Sequence, residues 1–213
     1  MNTGINAAWI LAYLAHDRCW LTKVREEVEA AANKYNTDTE ISLTEKLDNL
    51  SVDAWDSEFP LLDLCLRETI RMNSTGAAFR KNTSGHEIPI GSTKEVISPG
   101  AYAVYPFFDV HMDSSIYTDP KKWDPSRYFP ERAEDKKSPH AFIGWGAARH
   151  PCLGIRFAKL EQFMIVAYFL AKFDLELTDR FGEPVGELPV SDPNAHSTTK
   201  PKERPFLKYR KRL

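Results

Sequence analysis

Trp145-Gly146-Ala147-Ala148-Arg149-His150-Pro151-Cys152-Leu153-Gly154 runs straight into a long apolar stretch of helical spacing, and this decides how the chain is read. It places one thiol next to two basic residues at the expected start of a helix. The first N–H groups of a helix are unpaired and its dipole concentrates partial positive charge there, so a cysteine at that place is drawn towards thiolate. Arg149 and His150 add cationic or donor character. Pro151 stiffens the approach, and Gly154 lets the backbone come close to whatever the sulfur binds.

Several chemistries use a lone activated cysteine. A nucleophile needs a base aimed at the sulfur, and His150, two residues away in a bent loop, is poorly placed to be one. Zinc needs more ligands at metal spacing, yet Cys19 and Cys65 lie far off in helical patterns without a C-x-x-C. A phosphate loop on Gly144-Trp145-Gly146 would have Arg149 in place of its last glycine and no clear strand before it. An axial thiolate on haem iron needs one cysteine only, and that requirement is met.

Upstream, Phe59 to Arg71 reads as a helix, with Pro60 in its first turn and leucines over a wide face. Glu68 and Arg71 share one side of it, and burial among the leucines would demand further donors to offset their desolvation. Arg127 lies in Trp123-Asp124-Pro125-Ser126-Arg127-Tyr128-Phe129-Pro130, a turn-rich aromatic stretch without helical period. Ile97 to Val104 reads as a turn and an alternating strand. Leu153 to Phe173 reads as a core helix, because Lys159, Glu161 and Lys172 interrupt it and a bilayer span wants about 20 mostly apolar residues.

The start of the chain, Met1 to Ala15, is apolar nearly all round and reads as a buried helix, with Asn2 or Thr3 suited to cap it. It has neither the flanks of a signal peptide nor the length of a membrane anchor. Leu21, Val24, Val28 and Ala31 form the apolar stripe of a second helix, whose run Lys23, Arg25, Glu26, Glu27 and Glu29 reads as a solvated face. Residues 36 to 57 read as connecting loop with small helices. The basic, aromatic tail from Lys200 reads as a terminal strand; a nucleic-acid surface is disfavoured by the net charge of −2 and the lack of a binding fold. His111 and His140 have no motif around them and read as surface histidines. Three scattered cysteines in 213 residues make no disulfide framework and suit a reducing compartment.

At these motifs the chain resembles the cytochrome P450 family, the haem-thiolate monooxygenases, whose signature loop is Phe-Gly-x-Gly-Arg-His-x-Cys-x-Gly. Trp145, Gly146, Arg149, His150, Cys152 and Gly154 stand at the matching places, with Trp145 for Phe and Ala148 for the second Gly. The Glu-x-x-Arg helix, the extended region, the aromatic meander and the Cys loop also follow in the family's order. The resemblance implies a mainly α fold with a small β component: one partial haem-binding domain over residues 1–213, the C-terminal part of the P450 fold truncated at its central helix. The likeness is drawn to fungal sterol-demethylase-like members, and apolar surface is expected to be exposed on the first helix.

The resemblance also implies the site. Cys152 would be the axial ligand of haem b, with Arg80 and His150 meeting its propionates. Glu68, Arg71 and Arg127 would form a structural network that locks the meander. Asn2 or Thr3 would fall near the threonine of the oxygen side. One oxygen atom of O2 would be inserted into a lipophilic substrate, with electrons from an NADPH-dependent reductase and no nucleic acid involved. Family members of this kind face the cytosol on the endoplasmic reticulum membrane, whereas no anchor or signal peptide is read here. The alternative is a truncated, catalytically inactive remnant.

Overall fold

The computed structural model describes residues 3–147, 149–188, 190–192 and 200–212. Helix α1 (Thr3–His16) is followed at once by α2 (Arg18–Tyr35), because Asp17 accepts a hydrogen bond from the Trp20 amide and caps the second helix. Two short helices, α3 (Leu43–Asp48) and α4 (Val52–Ser57), start at Ser42 and Ser51, each accepting a bond from the amide three residues on. Helix α5 (Pro60–Asn73) carries the Glu-x-x-Arg motif.

The extended region holds β1 (Ala77–Lys81), β2 (Ile88–Pro89), β3 (Val96–Ile97) and β4 (Tyr102–Pro106). Strands β1 and β4 pair antiparallel with Arg80 opposite Ala103, and β2 pairs with β3. A short α6 (Phe107–His111) follows, then a meander with 3-10 turns at Pro125–Tyr128 and Glu134–Lys136. Helix α7 (Ile155–Lys172) ends directly in β5 (Phe173–Thr178), which pairs with the terminal β6 (Phe206–Lys211). The tail is thus the strand its pattern indicates.

Helix α1 forms the centre of the core, packed by α2, α5, α7 and β5. Its tyrosine stacks between two tryptophans: Tyr13 lies 5.4 Å from Trp9 and 5.2 Å from Trp123 of the meander, ring centre to ring centre. The expected apolar exposure on this helix is confined to its first turns, at Ala8 and in part Ile5, since Trp9 to Ala15 are all buried. Neighbours from both ends of the chain enclose it. Apolar exposure falls instead on the β1–β4 sheet, at Phe79, Tyr102 and Val104, and on Leu153 and Phe157 around the start of α7.

The solvated face assigned to α2 also needs correction, at Arg25, which donates to the Phe173 carbonyl at 2.8 Å and pairs with Asp174, and at Glu27. Glu27 is the N-terminal cap of α5 in trans: its two carboxylate oxygens accept from the Leu61 and Leu62 amides at 2.6 and 2.9 Å. Phe59 at the head of α5 has no side chain able to do this, so the orphan amides draw their partner from another helix. Among the described residues no helix is long and apolar enough to cross a membrane.

Candidate functional site

The Glu68–Arg71 pair is completely buried, and the donors its burial demands are all present. Glu68 Oε2 accepts from Arg71 Nε at 2.8 Å and Tyr128 Oη at 3.0 Å. Its Oε1 accepts from Arg71 Nη2 at 2.8 Å, Arg127 Nε at 2.9 Å and the Asp124 amide at 3.1 Å. The guanidinium groups are satisfied as fully: Arg71 also donates to the carbonyls of His111 and Pro120, and Arg127 to those of Thr118 and Lys122. Burial pulls the Arg71 pKa down, but the charge and hydrogen bonds of Glu68 outweigh it and hold the guanidinium above its ordinary value. The structure therefore brings Glu68, Arg71 and Arg127 together as one cluster.

Sequence reasoning missed the second carboxylate of this cluster. Glu134 accepts from Arg127 Nη1 at 2.6 Å, from Arg132 Nη2 at 2.7 Å and from the Thr118 amide at 3.0 Å. Against its own burial, Arg132 and Arg127 hold its carboxyl below the usual range. No spacing rule marks this residue, since it sits in an irregular segment. Tyr117 was missed too: Arg71 and Arg127 lie over its ring, and its hydroxyl donates to the Ala141 carbonyl at 3.0 Å. Tyr117 thereby ties the cluster to the approach of the Cys loop.

That loop is closed by main-chain bonds. Gly146 N donates to Ile143 O at 2.8 Å, His150 N to Ala147 O at 3.2 Å, and Cys152 N to Trp145 O at 2.7 Å. Gly146 has φ +80°, and a Cβ there would stand 2.4 Å from the His150 carbonyl oxygen, so both backbone and space require glycine. Trp145 is half-buried and packs against the hydrophobic core, which the aromatic position needs. In the sequence Gly144 belongs only to the phosphate-loop pattern that Arg149 breaks. A Cβ on it would meet Ile70 Cγ2 at 2.2 Å, so this glycine lets the loop press against α5.

Cys152 is half-exposed. It precedes the first turn of α7 rather than standing in it: Gly154 is the N-cap, and the Cys152 carbonyl accepts from Ile155 N at 3.3 Å. A Cβ at Gly154 would meet no atom of the described chain within 4 Å. Among the described residues no three His, Cys, Asp or Glu side chains group as metal ligands. Cys65 is buried in α5, where burial pushes its thiol well up, and Cys19 lies exposed on α2.

Beside the loop lies a cavity of about 420 Å3 walled by Ala78, Val104, Phe107 and Ile143, with Gly146 and Ala147 along one side. Arg80 from β1 and His150 from the loop reach it from different elements. Arg80 is exposed and steadied by a 2.8 Å bond from its Nη1 to the Phe79 carbonyl. Cys152 itself is not in the wall but two residues beyond His150. Arg149 is exposed and outside the wall; Thr3, half-buried at the head of α1, is outside it too. Asn2 and Ala148 lie outside the described residues.

Of the two histidines without a motif, His140 lies at the surface as expected and His111 does not. His140 is exposed, but it lines the cavity, and its carbonyl accepts from Tyr105 Oη at 3.1 Å. His111 is fully buried.

The sequence profile described as Cytochrome P450 matches residues 2–187. The chain therefore belongs to the cytochrome P450 family. It is 37% identical over 183 residues to the cytochrome P450 monooxygenase AacuE of Aspergillus aculeatus, an alignment that covers 86% of this chain and 36% of that protein. It is 38% identical, with the same coverage, to the cytochrome P450 monooxygenase nsrP of Aspergillus novofumigatus. Cytochrome P450 4F8 of Homo sapiens is 28% identical over 181 residues, covering 81% of this chain and 30% of that one. The fold matches the retinoic acid-bound cyanobacterial CYP120A1 with a TM-score of 0.72, at 22% identity, over 97% of this chain and 43% of the other. The chain thus spans about a third of the length of these curated relatives. These likenesses carry the family and do not single out a sterol-demethylase-like group.

Proposed function

We propose that the chain is the haem-thiolate part of a cytochrome P450 monooxygenase, with Cys152 as the axial ligand of haem b. The observation that carries this reading is the Cys152 loop, closed by the bond to Trp145 and set beside an apolar cavity that Arg80 and His150 reach from separate elements. A flat, largely apolar group with two carboxylates fits that donor set: aliphatic and aromatic side chains for its faces, one guanidinium and one imidazole for its acids. When bound, haem supplies the dioxygen chemistry that inserts one oxygen atom into a lipophilic substrate, with electrons from an NADPH-dependent reductase.

The remaining work is done by the chain's own residues. Cys152 presents its sulfur from a loop whose main-chain bonds fix its path. Arg80 and His150 orient the carboxylates by charge and hydrogen bonding. Glu68, Arg71 and Arg127, joined by Glu134, hold the meander on which the approach to the loop rests. Thr3, with Asn2 before it, is the candidate for proton delivery on the opposite side. A second reading, a proximal scaffold that binds haem but does not activate oxygen, is favoured by the exposed apolar residues Phe79, Val104 and Leu153 near the loop and sheet.

The test is the ferrous carbon monoxide spectrum of the chain expressed with a haem supply. Under the proposal wild type shows the red-shifted thiolate band and Cys152→Ala loses it entirely. Both proteins should keep the same thermal midpoint without haem. Absence of haem uptake by wild type overturns the proposal, while uptake with the thiolate band but no oxygen consumption on reduction selects the scaffold reading.

A further inference from the structure

His111 touches the buried charge cluster with its main chain and the Cys loop with its side chain. Its carbonyl accepts from Arg71 Nη1. Its Nε2 accepts from the Ile143 amide at 3.2 Å, and its ring stacks on Phe142 with centroids 5.4 Å apart. Ile143 in turn accepts from the Gly146 amide, the bond that opens the loop's first turn, and its side chain walls the cavity. On this geometry we infer that His111 is a positioning residue: its neutral imidazole holds the first turn of the Cys152 loop in register with the Glu68 cluster. The inference deepens the haem-thiolate reading and rests on it for its functional meaning.

The chemistry requires one protonation state. A ring that accepts at Nε2 carries its hydrogen on Nδ1, which is buried and has no hydrogen-bond partner among the described residues. Protonation would set an N–H at Nε2 against the N–H of Ile143 and break the bond. The surroundings oppose that charge. Arg71 donates to the residue's own carbonyl, and Arg67 lies 4.5 Å from the centre of the Phe142 ring against which His111 stacks. Glu68, the carboxylate paired with Arg71, is taken up by Arg71 and Arg127, while Tyr128 meets Phe142 edge-on and Tyr117 donates to Ala141. Asp109 and Asp113 are the acids on or beside α6 itself. Burial first, then the Arg71 charge, holds the imidazole down at about 4.

Amide hydrogen exchange on the whole chain tests this without haem, comparing residues 141–146 with α5 and correcting for intrinsic exchange. His111→Phe keeps a flat ring, loses the acceptor, and should speed exchange over 141–146 about ten-fold at pH 7 while α5 is unchanged. His111→Gln offers an acceptor that does not titrate and should keep wild-type protection. Taking the pH down to 4 should weaken protection in wild type and not in His111→Gln. Equal exchange of 141–146 in wild type and His111→Phe overturns the inference. If His111→Phe does not fold, an identical pH response of wild type and His111→Gln overturns it. In protein that takes up haem, His111→Phe should lose part of the thiolate band and His111→Gln should retain it. Because the exchange readout needs no haem, wild type that fails to bind haem sinks the proposed function and leaves this inference separately decided.

Discussion

The Glu68 cluster and the Cys152 loop are joined through Tyr117 and His111 at Ala141 and Ile143, and they are built in opposite ways. In the cluster, Glu68, Arg71 and Arg127 have no exposed surface, and five donors converge on one carboxylate. In the loop, Gly146, Arg149 and His150 are exposed, and main-chain bonds carry the geometry. The difference shows where each stretch finds its partners. The cluster is satisfied by atoms of this chain alone. The loop is held in shape by the chain, yet leaves its basic residues exposed and its cysteine half-exposed.

The sharpest way to break the contrast is to empty the cluster. Glu68→Ala leaves Arg71 and Arg127 buried without their shared counter-charge, and should cost about 3–5 kcal/mol in urea unfolding, enough to leave little folded protein. A loss under 1 kcal/mol would show that the cluster is not the scaffold's anchor. Gly144→Ala tests the seam between the two regions. With a methyl forced towards Ile70, about 1–3 kcal/mol should be lost in the same assay, and the loop, rather than α5, should show the faster exchange.

The pH dependence sharpens the comparison through two groups of opposite sign. His111 has its pKa lowered from 6.5 to about 4, so its contribution to stability is present above pH 6.5 and is lost as the pH falls through about 4. Glu27 is pushed the other way, from 4.5 to about 7, by burial working against the two amides it caps. Its contribution is present below pH 4.5 and is lost as the pH rises through about 7. Urea titrations should therefore show Glu27→Gln gaining on wild type as pH rises from 5 to 8, by about 1 kcal/mol or more. His111→Gln should gain on wild type as pH falls from 6.5 to 4. The smallest effect belongs to the surface: Arg156, which bridges α7 to Asp56 and is 65% exposed, should lose less than about 0.5 kcal/mol on Arg156→Ala.

Much of the molecule is legible in one dimension where the signal is local. The helix from Pro60, the long apolar helix after the loop, the terminal strand and the order of the motifs all rest on spacing, proline position and polarity. Glu134, Tyr117 and His111 gave no such signal, because what matters about them is which distant atoms they meet. Glu27 looked like one more charge on a solvated helix face for the same reason. The expected apolar exposure of α1 shrinks to Ala8 and part of Ile5 because composition shows that a face is apolar and says nothing of what covers it.

One dimension suffices to read the kind of chain this is: a single cysteine in a glycine-rich basic loop, a Glu-x-x-Arg helix before it and a meander arginine between them, in an order that marks the cytochrome P450 family. That the charges are fully buried and satisfied, that a second carboxylate completes them, and that a buried histidine links them to the loop follows from the packed chain alone. A hydrogen bond or a desolvation cost depends on separation in space, and residues 32 positions apart, like His111 and Ile143, come into contact only when the whole chain has packed.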